Sequence, residues 1–136
     1  MELYRHKVQY YETDQMAIVH HSNYIRWMEE ARIDFLSRIG CDYKTMEDNG
    51  IISPVTAVDC RYKVSARFGD TVAVRVWVEE VRGAKLKIGY EMTNQEGTLV
   101  AEGRSEHCFI SREGKLLNLK RSNPEIFNLI SQFTAE

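Results

Sequence analysis

Glu12, Asp14, His20 and His21 lie close together in Tyr10-Tyr11-Glu12-Thr13-Asp14-Gln15-Met16-Ala17-Ile18-Val19-His20-His21-Ser22-Asn23-Tyr24, just ahead of a long helical pattern. A helix start offers unpaired backbone N–H groups and a partial positive charge. Such a site can hold an anion or polarise a carbonyl oxygen. A carboxylate beside it can attack a carbonyl carbon or deprotonate water. These residue types therefore point to acyl transfer, and alone they point no further. Asp14 by itself reads equally as the cap of an Asx turn. His20 and His21 are adjacent and no third residue has ligand spacing, so no metal is expected. His6 and His107 read as sheet residues, and Cys108 as a packing residue, since neighbours in a strand point to opposite faces. Three more carboxylates, Glu29, Glu30 and Asp34, fall in the helix. Arg26 and Glu30 are four residues apart and suggest a salt bridge.

The elements that must position this stretch follow from periodicity. Residues 3–10 alternate, with Tyr4, His6, Val8 and Tyr10 on one side and Arg5, Lys7 and Gln9 on the other, which predicts a half-buried strand. From Ser22 to Ile39, the residues Tyr24, Trp27, Met28, Ala31, Phe35 and Ile39 recur at three- and four-residue steps and share one helix face. Ser22 is the expected cap and Gly40 the expected stop. A short helix or turn is expected at 43–49. Strands are predicted over 55–64, 71–81, 85–93 and 98–110, separated by Arg82-Gly83 and Asn94-Gln95-Glu96-Gly97. Gly103 and Ser105 leave the middle of the last strand small, so a helix can approach the sheet there. Asn123-Pro124-Glu125 opens a final helix. One long apolar-striped helix and a set of antiparallel strands imply that the helix covers one face of a curled sheet.

Bulk properties narrow the class. The chain has 136 residues, 43% hydrophobic and 28% charged, with a formal net charge of −2, which suits one soluble domain and not a nucleic-acid binder. Its three cysteines, Cys41, Cys60 and Cys108, lack any framework spacing, so reduced thiols in a cytoplasmic setting are expected. No apolar run suggests a signal peptide or a membrane span.

The combination Glu12-Thr13-Asp14, Ala17-Ile18-Val19-His20-His21, Asn23-Tyr24 and Glu30-Ala31-Arg32, with Arg67-Phe68-Gly69-Asp70 further on, resembles the signature of the 4-hydroxybenzoyl-CoA thioesterase family, in particular its YbgC-like branch. Two positions depart from the family pattern: its first Asp is Glu12 here, and its usual Gly is Ala17, which takes up positive φ less readily. The resemblance implies an α+β hotdog fold over residues 1–136, with a long central helix wrapped by an antiparallel sheet of five or six strands. It implies hydrolysis of an acyl-CoA thioester to a carboxylic acid and coenzyme A. Asp14 would be the nucleophile or the base for water, and the His21 backbone N–H would polarise the carbonyl. Ala17, Val19, His20, Asn23 and Tyr24 would line the substrate pocket; Arg82 would meet the coenzyme A phosphates, with Lys85 standing in for the family's next basic residue, which is Gly83 here. No cofactor is implied, coenzyme A being part of the substrate. A homodimer or homotetramer is expected, with sheets joined edge to edge and the active site at the interface. The alternatives are an acyl-carrier-protein thioesterase, a hotdog dehydratase acting on a hydroxyacyl thioester, and a binding module without turnover, which would have no need of Asp14.

Overall fold

A computed structural model describes residues 3–134. Its centre is helix α1, Ser22–Arg38, about 25 Å long at 1.5 Å per residue. The predicted stripe faces inward: Tyr24, Trp27, Met28, Ala31, Phe35 and Ile39 are all buried. The helix ends where Gly40 adopts φ 88°. There the Cys41 N–H reaches back to the Leu36 carbonyl (2.8 Å) and the Gly40 N–H to that of Ser37 (3.1 Å), closing a Schellman motif.

The sheet wraps this helix. Strands β1 (Tyr4–Lys7), β2 (Val55–Tyr62), β3 (Thr71–Arg82), β4 (Lys85–Thr93) and β5 (Leu99–Cys108) form one antiparallel sheet in the order β1-β3-β4-β5-β2. Val72, Val74 and Val78 of β3, Leu86, Ile88, Tyr90 and Met92 of β4, and Ala101, Gly103, Ser105 and His107 of β5 form its buried face. A register shift between Val78 and Glu80 changes the parity of β3, so Val81 pairs with Leu86 while Glu80 pairs with the solvent-side Lys87. Helix and sheet meet closely at Gly103. A Cβ there would lie 3.0 Å from Met28 Sδ and 2.6 Å from the Asp59 carbonyl oxygen, so the small residue is required. Helices α2 (Tyr43–Asp48), α3 (Leu119–Ser122) and α4 (Pro124–Ser131) close the remaining side, where Leu119, Ile126 and Ile130 join the same core. No helix among the described residues is long and apolar enough to cross a membrane.

Three expectations need correction. The first strand stops at Lys7, and Tyr10–Glu12 form a 3₁₀ turn that leaves Tyr10 and Tyr11 exposed. Thr13 explains this: its N–H (3.1 Å) and its hydroxyl (2.7 Å) both donate to the Tyr10 carbonyl, bonds that an extended chain cannot make. The cap position of α1 is His21, one residue before Ser22. Arg26 and Glu30 form no ion pair among the described residues. Arg26 points at Asn23 Oδ1 (3.5 Å), while Glu30 accepts from the Tyr4 hydroxyl (2.7 Å) and lies 3.5 Å from His6 Nδ1.

Candidate active site

Between the 3₁₀ turn and α1, the chain makes a small closed loop. At its base the His20 N–H donates to the Glu12 carbonyl (2.9 Å), and Thr13 bridges Val19. Above that, the Asp14 N–H donates to the Ile18 carbonyl (2.8 Å) and the Ala17 N–H to the Asp14 carbonyl (3.0 Å). The tight return forces Ala17 to φ 63°, in the left-handed region, where the family's usual glycine would sit without strain. Asp14 thus stands at the loop's neck. Its Oδ1 accepts from the Met16 N–H (2.8 Å), the Asx turn expected of an aspartate here. Its second oxygen has no protein partner among the described residues.

The loop is pinned to the fold through Glu12, which is only 5% exposed. Oε1 accepts from the Gln9 N–H and pairs with His6 Nε2, and Oε2 accepts from Trp27 Nε1, each at 2.8 Å. Burial alone would push this carboxyl's pKa up. The bonds from His6, the Gln9 N–H and Trp27, with the charge of His6, outweigh it and hold the group below the usual range.

Asp14, Ile18, Val19, His21, Tyr24 and Tyr62 surround a cleft of about 270 Å³. Tyr62 crosses from the end of β2, and its hydroxyl donates to the His21 carbonyl (3.3 Å). Buried Tyr24 forms the floor, its hydroxyl accepting from the Ala66 N–H (3.0 Å). The His21 N–H, at the start of α1, donates to no protein acceptor among the described residues. Asp14, which keeps one carboxylate oxygen free, and His21, whose N–H at a helix N-terminus is unbonded, therefore line one cleft, and these are groups that acyl transfer uses.

The sequence-predicted residues divide. Asp14, His21, Val19 and Tyr24 come together in the cleft. Ala17 serves as the turn of the loop. His20 lies outside on the surface, stacked on His21 (4.2 Å between centroids), with Nδ1 accepting from the Ser22 N–H (3.2 Å). Asn23 is buried, and its amide donates to the Glu12 carbonyl (2.9 Å). Arg82 and Lys85 sit on the β3–β4 turn. Lys85 is opposite Cys108 of β5, whereas Tyr62 is opposite Ala101. Seven residues of strand, roughly 23 Å, separate the two levels within one protomer. Tyr62 and Lys63 line the cleft without having been singled out for it; the signal was their place at the end of a strand following the helix. The Cys60 thiol, pushed up to about 11 by burial, is no nucleophile at neutral pH. Of the helix carboxylates, Asp34 pairs with Arg38 (2.7 Å) and Glu30 is engaged as above, whereas Glu29 makes no hydrogen bond or ion pair among the described residues.

The likeness to known proteins covers nearly the whole chain. Residues 8–127 match the model of the thioesterase-like superfamily. The Bacillus subtilis (strain 168) protein YneP, provisionally named an acyl-CoA thioesterase, is 36% identical over 120 residues, 88% of this chain and 87% of its own length. The Escherichia coli O157:H7 acyl-CoA thioester hydrolase YbgC is 25% identical over 96 residues, 71% of this chain and 72% of its own. Among solved structures, a DHNA-CoA thioesterase from Staphylococcus aureus superposes with a TM-score of 0.90 at 35% identity, covering 96% of this chain and 89% of that one. The chain belongs to the thioesterase-like superfamily, and is a thioester hydrolase of the hotdog fold.

Proposed function

We propose that this protein hydrolyses acyl-CoA thioesters to a carboxylic acid and coenzyme A, with Asp14 as its catalytic carboxylate. The observation that carries the reading is the shared cleft, where the free oxygen of Asp14 and the unbonded His21 N–H are both available to one substrate. The thioester carbonyl oxygen accepts from the His21 N–H, which stabilises the negative charge that develops on it. Asp14 attacks the carbonyl carbon or takes a proton from the water that does. The C–S bond then breaks and the coenzyme thiolate leaves, taking up a proton; where Asp14 itself attacks, water then hydrolyses the acyl–Asp14 anhydride, which frees the acid and restores the carboxylate. The names of the relatives support coenzyme A as the carrier. Release of free thiol separates this reading from a dehydratase or a passive binder.

We infer further that the working unit is at least a dimer. β2 is an edge of the sheet, and Val55, Val58 and Tyr62 along it are 42 to 48% exposed. An edge of this length with exposed apolar side chains is a template for pairing, and a second copy is the natural occupant. An antiparallel pairing of two β2 strands brings the far end of one protomer's sheet beside the other's cleft. Arg82 and Lys85 then have a route to the coenzyme phosphates across the interface.

The test is Asp14→Asn in a thiol-release assay over a panel of acyl-CoA substrates. The side chain keeps its size and its turn bond and loses charge and basicity. kcat should fall by roughly a hundred- to ten-thousand-fold, with the melting temperature and the Kd for a non-hydrolysable acyl-CoA nearly unchanged. Some hotdog thioesterases carry their catalytic carboxylate on the central helix, and Glu29→Gln tests that alternative at the helix carboxylate with no hydrogen bond or ion pair among the described residues. If Glu29→Gln abolishes turnover and Asp14→Asn does not, the catalytic carboxylate is on α1 and the assignment of Asp14 falls.

A further inference from the structure

Glu12 collects more of the site's architecture than any role in packing requires. Its carboxylate takes bonds from β1 (His6), the 3₁₀ turn (Gln9) and the second turn of α1 (Trp27), and its carbonyl takes bonds from the returning arm of the loop (His20) and the first turn of α1 (Asn23). Each contact is 2.8 or 2.9 Å. Burying a charge is expensive even when it is paired, and a well-packed apolar side chain commonly serves stability as well or better. A fully bonded, buried carboxylate does fix direction: each of its oxygens accepts along defined lines, and the planar group cannot turn without losing a partner.

The direction it fixes is the one that matters for catalysis. Asp14 lies two residues beyond Glu12 on one arm of the loop, and His21 directly follows His20 on the other. The His20–Glu12 bond joins the two arms at the base. Asn23 and Trp27 tie that base to the helix that His21, a lining residue of the cleft, precedes. Glu12 thus fixes the base of the loop against α1, below the Asp14–Ile18 bond and the Thr13–Val19 bridge that join the arms higher up. His6 steadies it from behind, tilted against the Trp27 ring with centroids 4.7 Å apart and lying between Glu12 and Glu30.

We propose that Glu12, held by Trp27 and His6, is a positioning residue that sets the Asp14 carboxylate against the His21 N–H. This rests on the Asp14 reading above. Glu12→Gln keeps the size of the side chain but leaves one acceptor oxygen where two were used, so either the Trp27 indole N–H or the Gln9 N–H loses its acceptor.

The experiment is a double-mutant cycle with Asp14→Asn, measured as thiol release well below the melting temperature. Glu12→Gln alone should lower kcat by about a hundredfold, the order expected for a displacement near 1 Å, with KM within about threefold. In the Asp14→Asn background the same substitution should cost less than about threefold, because the group it positions is gone. A kcat per folded molecule equal to wild type overturns the proposal, whatever the melting temperature does. So does an equal loss in both backgrounds, which is the mark of a purely structural role. Should Glu12→Gln not fold, Trp27→Phe, which removes the indole bond to Glu12 together with part of a buried ring, goes through the same cycle with the same criteria. If Asp14→Asn itself retains full turnover, the Asp14 reading fails first. If Asp14→Asn shows the expected loss of kcat and the cycle is additive, only the positioning role fails.

Discussion

Replacing Ala17 with glycine should stabilise this protein, against the usual direction of an alanine-to-glycine change. Ala17 has φ 63° at the turn of the Asp14 loop, and its side chain is exposed. The left-handed conformation costs an L-residue about 1–2 kcal/mol, through the clash of Cβ with the following carbonyl. Glycine removes that strain but adds roughly 0.5–1 kcal/mol of chain entropy to be lost on folding. The exposed methyl buries little, so almost nothing is lost in packing. The net gain is about 0.5–1 kcal/mol, a rise of a few degrees in melting temperature for a domain of this size. The backbone bond from residue 17 to the Asp14 carbonyl does not involve the side chain, so kcat should stay within about threefold. Thermal and urea melts of Ala17→Gly beside Ala73→Gly are the assay. Ala73 lies in β3 between Arg5 and Thr93, where glycine should destabilise by about 1 kcal/mol. If both variants lose stability alike, Ala17 carries no left-handed strain and the loop geometry around Asp14 is wrong.

Sedimentation or light scattering at micromolar concentration should show a dimer or tetramer, and a 15.8 kDa species there would remove the shared interface. Val58→Asp, placed on the exposed apolar edge, should shift that equilibrium toward monomer and lower activity with it. Neutralising Arg82 and Lys85 together should raise KM far more than it lowers kcat, since phosphate contacts bind ground and transition states alike; an unchanged KM places the phosphates elsewhere. Burial, with the charge of Arg32, lowers the His107 pKa from 6.5 to about 4, so the unfolded chain binds a proton that the folded one refuses between those values. Stability should therefore fall as pH drops through that window, by up to about 3 kcal/mol, and His107→Gln should flatten this dependence in denaturant melts taken from pH 7 to 4. Glu12 has the depressed pKa of a paired carboxylate, so its contribution persists above its unfolded pKa and is lost only as pH falls through the lower folded value.

The elements were legible wherever a period ran uninterrupted. The α1 stripe, the stop at Gly40, the hairpins of β3–β5 and the close approach at Gly103 all follow from local rules that the tertiary structure reinforces. Failures occurred where local bonding competes with a period. Tyr10 continues the alternation of Tyr4, His6 and Val8, yet Thr13 and Glu12 offer that segment turn bonds of their own, and the strand yields. For the site, a motif identifies which residues gather but not how. Asn23, expected at the pocket, spends its amide on the Glu12 carbonyl, and Glu30, four residues from Arg26, finds Tyr4 and His6 on a strand far away in sequence. Glu12 stood out as one of two carboxylates ahead of the helix and as a departure from the family's aspartate, not as the anchor of the loop. What its longer side chain reaches, Trp27 on one side and His6 on the other, depends on how β1 packs over α1, which no spacing encodes.

The protomer also poses a geometric problem that its own chain does not solve. Asp14 opens toward the β2 edge, and the two cations expected to hold the coenzyme lie at the opposite end of the sheet, roughly 23 Å away along β5. If Asp14 and Arg82–Lys85 serve the same substrate, one protomer offers no direct path between them. A two-fold axis across paired β2 strands reverses the direction of the second sheet and carries its far end to the first cleft. The same operation covers Val55 and Val58, whose exposure is otherwise unexplained. Exposed edge and divided site then have one cause. Loss of assembly should accordingly raise KM and lower kcat together, whereas substitutions confined to Glu12 or Asp14 should act on kcat with KM nearly unchanged.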